Sequence, residues 1–394
     1  MKFVRFGIVG LGGMGSNHAR QIDAGNIPRA TLTAVCDVAP NLAERYPGKK
    51  VYSDSAEMIR SGEIDAILIA TPHYSHTTIG IDALEQGLHV LVEKPISVHK
   101  ADCERLIGAA QKVGANTEAG KQVFAAMFNQ RTNQNHRKLR QMIIDGELGE
   151  IRRINWIITD WFRTYAYYAS GGWRATWAGE GGGVLLNQCP HNLDLFQWIF
   201  GMPQKVRAFC KIGRYHDIEV EDDVTAYMEY ANGTNAVFIT STGEAPGTNR
   251  LEVTAERGRV IVDNTGISFQ RNEIPMTEFS KTTKSGFDRP QTWDIKVPNA
   301  TGGGGQHNEI IGNFVDAILD GKNLIAPAEE GIHSVELANS MIYSSFTDST
   351  VSLPLSSADY EAFLKKKIEE STFEKKTVTQ PSGTPDDFAK SFGR

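Results

Sequence analysis

From residue 3 to about residue 122, short runs that are apolar at nearly every position alternate with helix-length amphipathic stretches. The runs FVRFGIVG, TLTAVCD, IDAILIATP and LHVLVEKP read as strands buried on both faces. Between them, MGSNHARQIDAG, SAEMIRSG and TIGIDALEQG carry helical spacing and mostly stop at glycine, as helix C-termini often do. This alternation predicts βαβ units around a doubly wound parallel sheet, an α/β domain over residues 1–122. After about residue 150 the apolar positions alternate with polar ones, as in EIRRINWIITDWF, DVTAYMEYANGTNAVFITS and RLEVTAERGRVIVDN. Residues 123–394 are therefore expected to form an α+β domain on an open, mainly antiparallel sheet. Asn232-Gly233 between two alternating runs predicts a hairpin with a primed turn. Helices at NEIIGNFVDAILDG and near GIHSVELANSMIYSSF are expected to cover one face of this second sheet. The other face is left for a second subunit, a homodimer or homotetramer. From Asp359 onward the chain is charged, and its Pro-Ser-Gly-Thr-Pro stretch reads as an extended arm.

A length of 394 residues fits two or three domains at about 150 residues each. Lysine and arginine number 41 against 47 acids, a net charge of −6, and no long basic run tracks a phosphate backbone. Nucleic acid is thus excluded as an expected partner. The four cysteines form neither a Cys-x-x-Cys pair nor a disulfide rhythm, which fits a reducing compartment. With no run of about 18 apolar residues and no cleavable leader, the chain reads as cytoplasmic and not bound to membrane.

The turn after the first strand reads Gly10-Leu11-Gly12-Gly13-Met14-Gly15, a G-x-G-x-x-G directly before a helix. Such glycines permit a tight turn and close approach of a pyrophosphate, whose charge meets the amides at the helix N-terminus. Asp37 ends the next strand 22 residues after Gly15, where a carboxylate can hold both ribose hydroxyls. Val38 and Ala39 beside it offer no cation for a 2′-phosphate, so NAD is favoured over NADP.

Lys94 follows Glu93 at the C-terminal end of a predicted parallel strand, the edge where open α/β sheets bind ligands. Pro95 disfavours helical geometry at Lys94 and ends the strand there. Further on, Asn187 and His191 are four residues apart, a helical spacing complicated by Pro190. Taken in order, GIVGLGGMG, IATPHYSH, LHVLVEKPIS and GGGVLLNQCPHNLDLFQWIFG resemble the glucose-fructose oxidoreductase, inositol dehydrogenase and rhizopine catabolism (Gfo/Idh/MocA) family, over most of the chain to about residue 355. The resemblance implies an N-terminal Rossmann domain that binds NAD. It also implies that Lys94 contacts nicotinamide ribose and substrate, and that His191 is the acid/base. Thr71 and Pro72 would flank the nicotinamide, with His76 and Glu93 beside it. Asn187 departs from the family's acid at that place; its amide can bond a substrate hydroxyl but brings no negative charge. His191 is then expected to stay neutral and ready to take a proton at neutral pH.

Residues 156–177 hold eight aromatics in 22 positions, where the chain average of 9% predicts about two. Rings of this kind stack on the C–H faces of a sugar or cyclitol. Trp173, Arg174 and Arg163, together with His307 after a glycine-rich approach, are the candidate substrate contacts besides Asn187. His73 and His76 lack a third ligand at a suitable spacing, so no metal is expected. Arg131 matches a family arginine near the domain junction. The expected activity is hydride transfer between NAD and a secondary hydroxyl of a small polyhydroxylated molecule: a sugar, glycoside or inositol. The same resemblance leaves open an eliminating glycosidase that keeps its nicotinamide, and a non-catalytic nucleotide sensor.

Overall fold

The computed structural model describes residues 2–117, 120–298 and 303–375. Its first sheet contains β1 (Val4–Val9), β2 (Ala30–Cys36), β3 (Lys50–Tyr52), β4 (Ala66–Ile69), β5 (His89–Val92) and β6 (Phe124–Ala126). All pairings are parallel and the order is β3-β2-β1-β4-β5-β6. Every residue of β4 is buried, which is why the strand reads as an unbroken apolar run. Strand order reverses between β1 and β4, and the loops leaving their C-terminal ends border a crevice at that switch point. The sheet extends past residue 122, the limit expected for it, because β6 pairs with β5.

Among the described residues the second sheet has nine strands. In chain order they are β7 (Ile151–Ile158), β8 (Lys205–Ile212), β9 (Glu221–Glu229), β10 (Asn235–Ser241), β11 (Asn249–Ala255), β12 (Gly258–Asp263), β13 (Gly266–Asn272), β14 (Thr292–Lys296) and β15 (Val351–Ser352). Its pairings are antiparallel except β7 with β10, which run parallel. Along β9, Val224, Ala226 and Met228 point into the second core while Tyr227 and Glu229 are exposed, the alternation of a sheet covered on one side. β9 and β10 form the expected hairpin, but of its Asn-Gly pair only Gly233 has positive φ (86°), so the turn is not the primed type.

The helix Gln306–Asp320 corrects one expectation. Its stripe of Ile310, Ile311, Phe314 and Val315 lies in the core of the first sheet, with the Phe314 ring 6.0 Å from that of Phe6. An amphipathic pattern announces a buried face but not which sheet that face meets. The helix Gly331–Thr347 does cover the second sheet, burying Leu337, Ala338, Met341 and Ile342 there. Arg131 joins the two halves: fully buried, it donates to Asp194 at 2.8 and 2.6 Å and to Glu330 at 2.5 Å. Beyond Asp359 the charged stretch begins within a helix, Ser357–Glu369, and the Pro-Ser-Gly-Thr-Pro segment lies outside the described residues. Among the described residues no helix is long and apolar enough to cross a membrane.

Candidate active site

One cavity of about 420 Å³ runs from the glycine turn after β1 to the start of the helix Pro190–Phe200. At its first end the chain turns through Gly10 at φ 86°, where a Cβ would lie 2.6 Å from the Ala70 oxygen. A Cβ on Gly15 would lie 1.7 Å from the Gly10 oxygen, so this glycine lets the helix Gly13–Asp23 start tightly against the turn. Gly12, by contrast, faces open space. No acid occupies the first turn of that helix, which leaves its amide end receptive to an anion. Asp37 accepts from the N–H groups of Leu11 and Ala39, a geometry that fixes its carboxylate beside the turn. Val38 next to it is 92% exposed and uncharged. Deeper in, Thr71 Oγ1 is buried without a hydrogen-bond partner among the described residues. An anion-receptive helix end, an open glycine, a fixed carboxylate and an unsatisfied hydroxyl suit a dinucleotide.

Of the residues singled out in the sequence for the cofactor, Gly10, Gly12, Gly13, Met14 and Asp37 line this cavity at one end. Thr71, Pro72, His76, Glu93 and Lys94 line its middle. Gly15 does not reach it and acts by packing. Glu93 is buried with His18, whose Nε2–H donates to Oε1 at 2.8 Å. Burial opposes ionisation of Glu93, but the His18 hydrogen bond and nearby positive charge outweigh it and hold the carboxyl at about 2. His76 is locked between the carbonyls of Pro95 and Thr71 at 2.8 and 2.9 Å, and so fixes the two loops that carry Thr71 and Lys94.

Lys94 is half-buried after a cis Lys94–Pro95 peptide, and its ammonium donates to the main-chain oxygen of Asn187 at 2.8 Å. Burial pushes its pKa below the ordinary 10.5; Glu93 and Glu180 resist that shift, while Arg163 and Arg174 add to it. Pro190 takes the first position of its helix, where a missing N–H costs nothing, and Asn187 lies ahead of the helix in a turn bonded to the Gly183 oxygen at 2.9 Å. His191, only 2% exposed, follows Pro190 and borders the cavity, and among the described residues neither of its ring nitrogens has a hydrogen-bond partner. Burial, then the charge of Lys94, drives its pKa well below 6.5. A neutral imidazole with both nitrogens unengaged is a proton acceptor waiting for a partner. His307, at the start of the helix Gln306–Asp320, completes this wall; burial and His18 lower its pKa to about 4.

The aromatic cluster divides. Trp156, Tyr168 and Trp177 are buried in the second core, while Trp161, Tyr167 and Trp173 line the cavity. Arg174 stacks 4.3 Å from the Tyr167 ring and 4.7 Å from Trp173, and donates to the Tyr167 hydroxyl at 2.6 Å. Arg163 sits 5.4 Å from the Trp161 ring and 5.1 Å from that of Tyr167. The sequence reading missed His18, Gln188 and Glu180. Only an acid at 180 could have been suspected, from its place at the head of Glu180-Gly181-Gly182-Gly183, a run whose last glycine packs against Glu221 of β9.

Comparison with known proteins supplies the context. Residues 4–120 match the family model for the oxidoreductase family, NAD-binding Rossmann fold (GFO/IDH/MocA), and residues 136–261 match the GFO/IDH/MocA C-terminal domain. The myo-inositol 2-dehydrogenase of Thermotoga maritima is 26% identical over 273 residues, covering 66% of this chain and 75% of that protein. The inositol 2-dehydrogenase of Rhizobium meliloti is 27% identical over 350 residues, covering 86% of this chain and 96% of its own. Among solved structures, the WlbA dehydrogenase from Chromobacterium violaceum in complex with NADH and UDP-GlcNAcA has a TM-score of 0.75 and 26% identity, over 90% of this chain and 97% of that one.

Proposed function

The chain belongs to the GFO/IDH/MocA oxidoreductase family, and we propose that it oxidises a secondary hydroxyl of a sugar, glycoside or inositol with NAD. The observation that carries this reading is the buried His191 ring, unengaged at both nitrogens, on the same cavity as the Lys94 ammonium. Bound NAD would contribute one piece of chemistry, acceptance of a hydride from the carbinol carbon. The amide end of the helix Gly13–Asp23 would hold its pyrophosphate, Asp37 its ribose hydroxyls, and Thr71 with Pro72 its nicotinamide.

Lys94 hydrogen-bonds the reacting hydroxyl oxygen, orients it and stabilises the negative charge that develops there. His191 takes the hydroxyl proton, a step worth roughly 10² to 10⁴ in rate. Trp161, Tyr167 and Trp173 offer ring faces to the C–H side of a cyclic polyol, while Asn187, Arg163, Arg174 and His307 offer polar groups to its hydroxyls. Inositol dehydrogenases among the relatives support a cyclic polyol. The exposed outer face of the second sheet, with Phe209 and Tyr227, supports assembly with further copies of the chain.

A panel of inositols, hexoses and glycosides assayed with NAD by the absorbance of reduced cofactor tests the proposal. One reduced cofactor per ketone formed is the expected stoichiometry. Product without net reduced cofactor would mean oxidation followed by elimination, and no turnover on any polyol would overturn the reading.

A further inference from the structure

Asn187 is neutral, and Glu93 is engaged by His18 and by the Lys94 N–H. The second carboxyl acting on Lys94 is Glu180. It closes a short helix, Trp177–Glu180, capped by the Thr176 hydroxyl and ended by Gly181 at φ 74°, and it is 1% exposed. Both of its oxygens are acceptors: Oε1 takes the side-chain N–H of Asn187 and Oε2 the backbone N–H of Ala175 at 2.5 Å. A proton on either oxygen would weaken the bond that oxygen accepts, so both bonds favour the carboxylate against the burial that pushes its pKa up. Arg174 approaches Oε1 at 3.8 Å. Lys375, Glu221 and Tyr168 also act electrostatically on or with this carboxyl.

Asn187 is thereby held at three atoms. Its amide nitrogen is held by Glu180, its amide oxygen by the Tyr167 hydroxyl at 3.1 Å, and its main-chain oxygen by Lys94. We propose that Glu180 is the working carboxylate of this site, a positioning residue that acts through Asn187 to keep the Lys94 ammonium charged and aimed at the substrate oxygen. The inference rests on the dehydrogenase reading for the role of Lys94. Its physical premise, a Glu180 charge felt at Lys94, stands without any substrate.

The test uses the full chain. Lysines are reductively methylated with ¹³C, the Lys94 resonance is assigned by its loss in Lys94→Arg, and its titration is followed by NMR. Glu180→Gln, nearly isosteric, is expected to lower the Lys94 midpoint by about one pH unit, a tenfold change in the protonation constant. The alkaline limb of kcat should move down by the same amount, with NAD affinity unchanged. Glu180→Gln combined with Asn187→Asp returns one carboxylate to the site and should restore both. A midpoint and alkaline limb unmoved in Glu180→Gln, or not restored in the double variant, overturns the proposal. Should Glu180→Gln not fold, the double variant decides alone: a Lys94 midpoint matching the wild type supports the proposal, and one above it, as an added carboxylate with no charge lost would give, refutes it. If the wild type oxidises no polyol, the dehydrogenase reading fails while the Lys94 titration still reports on Glu180.

Discussion

The Lys94 ammonium and the Asn187 main-chain oxygen, 93 residues apart in sequence, are 2.8 Å apart in space. This bond ties the C-terminal end of β5 to the turn ahead of the His191 helix, so the first sheet positions one half of the site and the second domain the other. Removing Lys94 should therefore damage turnover more than cofactor binding, which depends on the glycine turn and Asp37. Lys94→Ala is expected to keep NAD affinity near the wild-type value in a fluorescence titration and to lower kcat by at least roughly 10². Near wild-type turnover would remove Lys94 from the mechanism.

The state of His191 predicts a pH profile. Its pKa is driven well below 6.5 by burial and by Lys94, so the proton-accepting form persists as pH falls through the ordinary histidine range. A base with a lowered pKa loses activity only on the acid side of that lowered value. The profile of kcat/KM for alcohol oxidation should thus be level across 6.5 and decline only at lower pH. An acid limb centred at or above 6.5 would assign the proton to another group.

Two glycines of one turn should fail differently. A methyl at Gly15 meets the Gly10 oxygen at 1.7 Å, whereas one at Gly12 meets nothing within 4 Å. Gly15→Ala is expected to lower the melting temperature of the cofactor-free protein. Gly12→Ala is expected to leave that temperature unchanged and to weaken NAD binding, because its methyl enters the space a pyrophosphate needs. Calorimetry of both variants, with and without NAD, separates the two; a normal NAD affinity in Gly12→Ala would move the cofactor elsewhere.

How much of this was legible beforehand depended on the range of the forces involved. The βαβ rhythm, the glycine turn, Asp37 and Lys94 are local signals, set by strand burial and by backbone geometry within a few residues. His191 was found through its neighbours in sequence. Glu180 was not, because its role depends on a fold-back of seven residues that brings its carboxylate onto Asn187. The helix Gln306–Asp320 was recognised as a helix, yet its docking onto the first sheet is a long-range choice that its own stripe does not encode. The aromatic stretch showed enrichment only; division between core and cavity follows from the register of β7 and the turns after it.

Arg131, near the domain junction, carries the last prediction. Its guanidinium is fully buried against Asp194, itself 1% exposed, with Glu330 as a further partner. It lies outside the cavity lining, which makes its work structural. Arg131→Ala strands the Asp194 carboxylate in the interior and should cost about 3–5 kcal/mol in urea unfolding. Replacing both partners by apolar residues, Arg131→Met with Asp194→Leu, removes the stranded charge and should destabilise less than Arg131→Ala alone. NAD affinity should stay near wild type in whatever fraction of either variant folds. Loss of NAD binding with stability intact would place Arg131 in the site after all.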